Sequence, residues 1–257
     1  MIKKNMTSQC LAFALGACAL TSSSLNAETL AAWDFSSNLN ATTEATNITG
    51  SAVTFGNFSN ASTSYYGRSG GGEDLYARAF EISQTNGDGR ILGTTEAVSV
   101  ESRKTYFEFT LTPDSGAFDL SNFTATINAQ TVSDTDAQTG FTAYYFLRSS
   151  ADDYASNLGT GEVSVTATTA SAGKTSADVI FSADLSDFDN ISSAVTFRLY
   201  TYAVGDGGET LNYNHIARAD DFTITGTTAI PEPSHTAAML GAGALMSMLM
   251  IRRRIKA

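Results

Sequence analysis

The stretch Thr105-Tyr106-Phe107-Glu108-Phe109-Thr110-Leu111 decides how the chain folds. Phe107, Phe109 and Leu111 fall on one side of a two-residue repeat, and Tyr106, Glu108 and Thr110 on the other. This is the pattern of a half-buried antiparallel strand, because successive side chains of extended backbone leave opposite faces. Ala194 to Tyr202 repeats it, with Val195, Phe197 and Leu199 set against Thr196, Arg198 and Tyr200. Outward from these two, strands are expected at Thr29 to Phe35, Ala52 to Phe58, Leu120 to Ala129, Phe141 to Arg148, Glu162 to Thr168, Ala177 to Ala183 and Asp220 to Gly226. No 3.6-residue apolar period persists between them, so helix is the minority state. Glycine clusters at 70–72, 86–89, 114–116 and 205–208 supply turns that need positive φ. The expected fold class is all-β: an antiparallel two-sheet sandwich or jelly roll of nine or more strands.

Both ends of the 257-residue chain read as targeting segments. Lys3 and Lys4 precede an apolar run from Leu11 to Leu20, and Leu25-Asn26-Ala27 offers a cleavage site before Glu28. That is a secretory signal peptide over residues 1–27, to be met by the general secretion machinery and signal peptidase. A rival lies inside it: Leu15-Gly16-Ala17-Cys18 resembles a lipobox, in which Cys18 is lipidated and becomes the new N-terminus. At the other end, Pro231-Glu232-Pro233 precedes an apolar segment at about 236–251, and Arg252-Arg253-Arg254 follows at once. Sixteen helical residues rise about 24 Å against a hydrocarbon core of about 30 Å, a short span that snorkelling arginines make workable. The arginines stop transfer and stay cytoplasmic, which leaves the body outside the inner membrane. The division expected is therefore a signal peptide at 1–27, a β-sandwich at 28–228 and a tail at 229–257.

The body is a polyanion. Residues 28–230 hold 25 acidic and 9 basic side chains, a net charge near −16. Such a surface repels phosphates, so nucleic acid is not an expected partner. Cys10 and Cys18 are the chain's two cysteines, and both lie in the signal peptide. A mature body without thiols has no disulfide scaffold, thiolate zinc site or cysteine nucleophile. About 200 residues can bury an adequate core without such staples.

The tail closely resembles the PEP-CTERM sorting signal over some 27 residues, with Pro231, Glu232 and Pro233 matching its name-giving motif. The resemblance implies recognition by a membrane-embedded exosortase, in bacteria that make extracellular polysaccharide, and a final place at the cell surface or in the extracellular matrix. Two prolines around one charge also make an extended stretch with few amide donors, which a protease-like enzyme can hold. Trp33-Asp34-Phe35 and Asp220-Asp221-Phe222-Thr223-Ile224-Thr225-Gly226 resemble the first and last strands of jelly-roll carbohydrate-binding modules, where the terminal strands lie side by side. Phe146 to Ser156, with Val195 to Tyr200, is similar to a body type that recurs on other PEP-CTERM proteins.

The candidate chemistry is thin. His215 is the body's one imidazole, expected in a loop or packed beside the last strand, which argues against nucleophilic triads and histidine metal sites. Jelly-roll modules often hold a structural ion between terminal strands, and Asp34, Asp220 and Asp221 are the candidate calcium ligands. Tyr65, Tyr66, Tyr144, Tyr200 and Tyr202 fall in the exposed phase of their strands and could form an aromatic platform for extracellular polysaccharide, while Trp33 belongs to the core. Ordinary cross-strand packing is the competing role for each tyrosine. The function expected is a non-enzymatic surface or matrix protein that binds polysaccharide. The alternatives are a secreted glycan-degrading enzyme using a carboxylate pair, which needs no further signature than two acids, and a purely structural protein.

Overall fold

The computed structural model describes residues 27–56, 66–68, 75–79, 92–131, 140–166, 174–208, 211 and 214–228. The signal peptide, the Pro231-Glu232-Pro233 motif, the apolar segment and the arginine stop lie outside the described residues, as do the glycine turns at 70–72 and 86–89. Among the described residues no helix is long and apolar enough to cross a membrane.

The body is a two-sheet antiparallel sandwich. Fourteen strands are described, in chain order: β1 (Glu28–Trp33), β2 (Thr43–Glu44), β3 (Ile48–Gly50), β4 (Thr54–Phe55), β5 (Tyr66–Arg68), β6 (Leu75–Arg78), β7 (Tyr106–Pro113), β8 (Phe118–Thr131), β9 (Phe141–Ser149), β10 (Gly159–Val165), β11 (Lys174–Thr175), β12 (Val179–Asp184), β13 (Val195–Gly205) and β14 (His215–Thr228). One sheet runs β11-β8-β14-β1-β2, with β12 also on β8, β6 on β14 and β5 on β6. The other runs β10-β9-β13-β7-β3, with β4 also on β7. The first strand lies antiparallel beside the last, Trp33 opposite Phe222.

The alternation that suggested strands is the alternation of burial. Phe107, Phe109 and Leu111 are buried while Tyr106, Glu108 and Thr110 are half-buried on the outer side. Phe109 sits at the middle of the core, stacked on Phe123 of the facing sheet at 5.3 Å and on Phe197 of its own at 5.7 Å. Trp33 tilts against it at 5.1 Å and gives its indole N–H to the Ser51 carbonyl at 2.9 Å, so a fully buried ring keeps its one donor satisfied. Each such side chain contributes about 1.5–3 kcal/mol by leaving water.

The last strand differs from simple alternation. Continued from buried Ala219, a two-residue repeat would put Asp221 into the core. A bulge between Asp220 and Thr223, with Asp221 at φ 51°, resets the phase. Asp221 stays exposed and Phe222 turns inward. The strand is also longer than expected: it begins at His215, which is fully buried and packs edge-on against Phe141 at 5.2 Å. Of the expected strand from Ala52 to Phe58, Thr54–Phe55 is extended and 57–58 lie outside the described residues. At the open side of the sandwich, Gly159 and Gly161 let β10 close on β12; a Cβ at Gly159 would stand 2.8 Å from the Ser182 carbonyl oxygen.

Candidate functional site

The outer face of the β10-β9-β13-β7 sheet sets four tyrosines in ordered rows. One row is Glu162, Tyr144 and Tyr202 across β10, β9 and β13. The next is Thr160, Phe146, Tyr200 and Tyr106. The third is Arg148, Arg198 and Glu108. Cross-strand neighbours on one face stand close enough for rings to touch. Accordingly, Tyr144 and Tyr202 stack at 4.7 Å and 9°, Phe146 and Tyr200 at 5.0 Å and 4°.

The third row sets two arginines directly opposite each other, which by itself is unfavourable. Each is neutralised away from the other. Arg198 Nε donates to Glu108 at 2.7 Å, and its guanidinium lies 4.4 Å over Tyr106 and 3.7 Å over Tyr154. Burial opposes this charge, but the hydrogen bond to Glu108 and the surrounding tyrosines outweigh it and hold the pKa above the ordinary arginine value. Arg148 donates to Glu96 at 2.7 Å, to the Tyr154 carbonyl at 2.8 Å and to Asn157 at 2.7 Å.

Glu96 belongs to a segment the strand reading missed. The free edge of β13 bonds to Gly93 and to Thr105, through Ala203 N–H at 3.0 Å and Thr201 N–H at 2.9 Å. The chain between those two points cannot continue the ladder and loops out over the face as a short helix, α1 (Glu96–Val98), and a wider π turn, Ser99–Arg103. Thr95 caps it, accepting from Val98 N–H at 3.3 Å, and Lys104 ends it at φ 49°. The Thr95-Glu96 cap is the local signal for it, but eight helical residues carry no apolar period.

This flap divides the face. Tyr200 keeps the outward phase expected of it, yet it is only 2% exposed, because the rings of Phe146 and Tyr106 and the Arg148 guanidinium pack on it. Its ring is packed between neighbours instead of standing open. Tyr144 and Tyr202 remain half-buried at one edge of the flap. Beside them opens a cleft of about 280 Å³ lined by Glu96, Thr160, Gly161, Glu162 and the rings of Tyr144, Phe146 and Tyr202. One face of Tyr144 is taken by Tyr202 on β13, so its other face turns toward β10, where Thr160 and Glu162 are exposed. Burial first, then Tyr144, Glu96 and Glu162, raise the Tyr202 hydroxyl above its usual 10.0. A second cleft, about 380 Å³, lies past the flap among Val100, Lys104, Tyr106, Asp153, Tyr154, Arg198 and Tyr200.

The remaining candidates are placed as follows. Asp34 follows β1 and accepts from Ser36 N–H and Oγ, each at 3.0 Å. Asp220 accepts from the Asp221 N–H at 2.8 Å. Among the described residues, no three His, Cys, Asp or Glu side chains form a group able to hold a metal ion. Tyr66 lies in β5, and Tyr65 is outside the described residues. The histidine sits inside the sandwich and lines neither cleft.

No family model matches the chain, and no curated protein matches its sequence. Among solved structures it is similar to the K3 cleaved adhesin domain of Lys-gingipain from Porphyromonas gingivalis W83, at 13% identity and a TM-score of 0.39, over 77% of this chain and 99% of that one. The K1 cleaved adhesin domain of the same protein aligns at 13% identity and 0.35, over 77% and 97%. A family 29 carbohydrate-binding module aligns at 12% identity and 0.26, over 78% and 90%.

Proposed function

We propose that the chain is an exported, exosortase-processed protein of the cell surface or extracellular matrix, and that its sandwich binds polysaccharide without acting on it. The observation that carries the binding reading is the Tyr144–Tyr202 stack beside an open cleft that also holds Glu162 and Thr160. A ring face next to hydroxyl and carboxylate groups suits a sugar, whose C–H face stacks and whose hydroxyls hydrogen-bond. Export, the anchored precursor with its body outside the inner membrane, and processing by exosortase rest on the two ends of the sequence.

The test is binding of the full chain, purified in detergent, to a glycan panel and to the host's own extracellular polysaccharide, with calcium and again with a chelator. Saturable binding that Tyr144→Ala weakens about tenfold, or ~1.4 kcal/mol, supports the assignment. Failure to bind any glycan, or equal binding by the variant, refutes it. Loss on chelation would show that binding needs a divalent ion, and its persistence in Asp34→Ala and Asp220→Ala would exclude those two carboxylates as ligands. For sorting, alanines at Pro231-Glu232-Pro233 are expected to leave an uncleaved, membrane-retained form, and normal processing of that variant refutes the exosortase reading.

One observation favours the enzymatic alternative: Glu96 and Glu162 share a cleft. Glu96, however, is committed through Oε1 to both Arg148 and Asn157. Release of reducing sugar that disappears in Glu162→Gln would establish the alternative.

A further inference from the structure

The outer face shows, at one end, how it holds a positive charge. Tyr106 and Tyr154 lie against the Arg198 guanidinium and Glu108 binds its Nε, so two rings and one carboxylate hold one cation. At the other end, one of two carboxylates has no such cation. Tyr144 and Tyr202 supply the rings and Glu162 and Glu96 the carboxylates, and no Lys, Arg or His lines that cleft among the described residues. Glu96 spends Oε1 on Arg148 and Asn157, whereas exposed Glu162 makes no ion pair or hydrogen bond among the described residues. The cleft is thus left with net negative charge beside ring faces, the combination that attracts an ammonium group.

We infer that the saccharide taken here carries a free amino group: an unacetylated amino sugar within the polysaccharide, its ring against Tyr144 and its ammonium on Glu162. The inference rests on the polysaccharide-binding function proposed above. The volume of about 280 Å³ exceeds what a bare ammonium group fills and lies near the lower end of small-ligand sites, at about 300 Å³. The exposed Thr160 hydroxyl remains for a ring hydroxyl. An N-acetyl group would remove the charge and leave Glu162 facing a neutral amide.

The test is calorimetric titration of the full chain in detergent with a glucosamine trisaccharide, its N-acetylated counterpart, a neutral glucose trisaccharide and spermidine as a cation without a ring. The body's charge near −16 makes that last control necessary. The expected result is binding of the glucosamine trisaccharide at least about tenfold tighter than either uncharged sugar. Glu162→Gln should abolish that preference, and Tyr144→Ala should weaken all three sugars. Equal binding of charged and uncharged sugars overturns the inference while leaving polysaccharide binding intact, and binding of no sugar overturns both. Spermidine matching the glucosamine trisaccharide, or a preference that survives Glu162→Gln, would trace the effect to the acidic body at large and also overturn it. Glu162 is exposed on an edge strand, so the variant is expected to fold; circular dichroism checks this.

Discussion

Glu96→Ala removes the side chain that ties the flap to the sheet. It deletes the 2.7 Å ion pair with Arg148 and the 2.9 Å hydrogen bond from Asn157. Glu96 is 42% exposed and Arg148 13%, so water screens part of the pair. Exposed pairs are worth up to about 1 kcal/mol and charged hydrogen bonds up to about 3, which puts this clamp at about 1–2 kcal/mol. Arg148 would retain the Tyr154 carbonyl, Asn157 Oδ1 and its place 5.2 Å over Phe146. The loss should therefore fall on the flap. Among residues 94–104 of the flap, Ser99 alone is fully buried, and apolar burial does little else to hold it. Opening of the flap should become about 5–30 times more frequent. The assay is native-state hydrogen exchange. The Ser99 amide, bonded to Thr95, and the Thr105 amide, bonded to Ser99, should exchange faster by that factor. Amides of β7 and β13 on the core side should not change. An equal acceleration across the sandwich would mean that Glu96 supports the whole fold, and no acceleration would mean that no clamp exists; either refutes the reasoning.

Two further predictions concern stability. The Tyr145 hydroxyl reaches from β9 to the facing sheet, where the Asn128 carbonyl at 2.9 Å and the Arg218 carbonyl at 2.8 Å share its proton. Tyr145→Phe should cost about 1–3 kcal/mol and lower Tm by about 2–12 °C in calorimetry; an unchanged Tm would show that the bridge contributes nothing. Burial raises the hydroxyl pKa of Tyr106, Tyr154 and Tyr202 above 10.0. The folded state thus prefers the protonated phenols. Their contribution is fully present below about pH 10 and lost as pH rises through the higher folded values. Urea titrations should show stability falling above about pH 10, with phenolate absorbance appearing later than in the unfolded chain. Simultaneous titration in both states would contradict it.

At the two ends the signals are local and ordered, charge, apolar run and cleavage site at one and motif, apolar segment and arginines at the other, and both ends lie outside the described residues, so that reading rests on the sequence alone. The strands were legible because Phe107, Phe109 and Leu111, or Val195, Phe197 and Leu199, must all leave one side of an extended chain. The bulge at Asp221 was half legible, since two successive acids before Phe222 cannot both obey a two-residue repeat. The burial of Tyr200 was not legible, because Tyr106, Phe146 and Arg148, which pack on it, come from strands far away in sequence.

Periodicity by itself determined that this chain is an all-β sandwich, which side of each main strand faces the core, and that Trp33 belongs inside. It could put Tyr144, Tyr200 and Tyr202 on an outward face, because facing is a property of one strand. Only the tertiary structure decided their neighbours. Register sets Tyr144 against Tyr202 and Glu162, and packs Phe146 and Tyr106 on Tyr200. Register and cover arise from hydrogen bonds between strands distant in sequence, so a cleft made of Glu96, Tyr144, Glu162 and Tyr202 has no trace in the order of its residues.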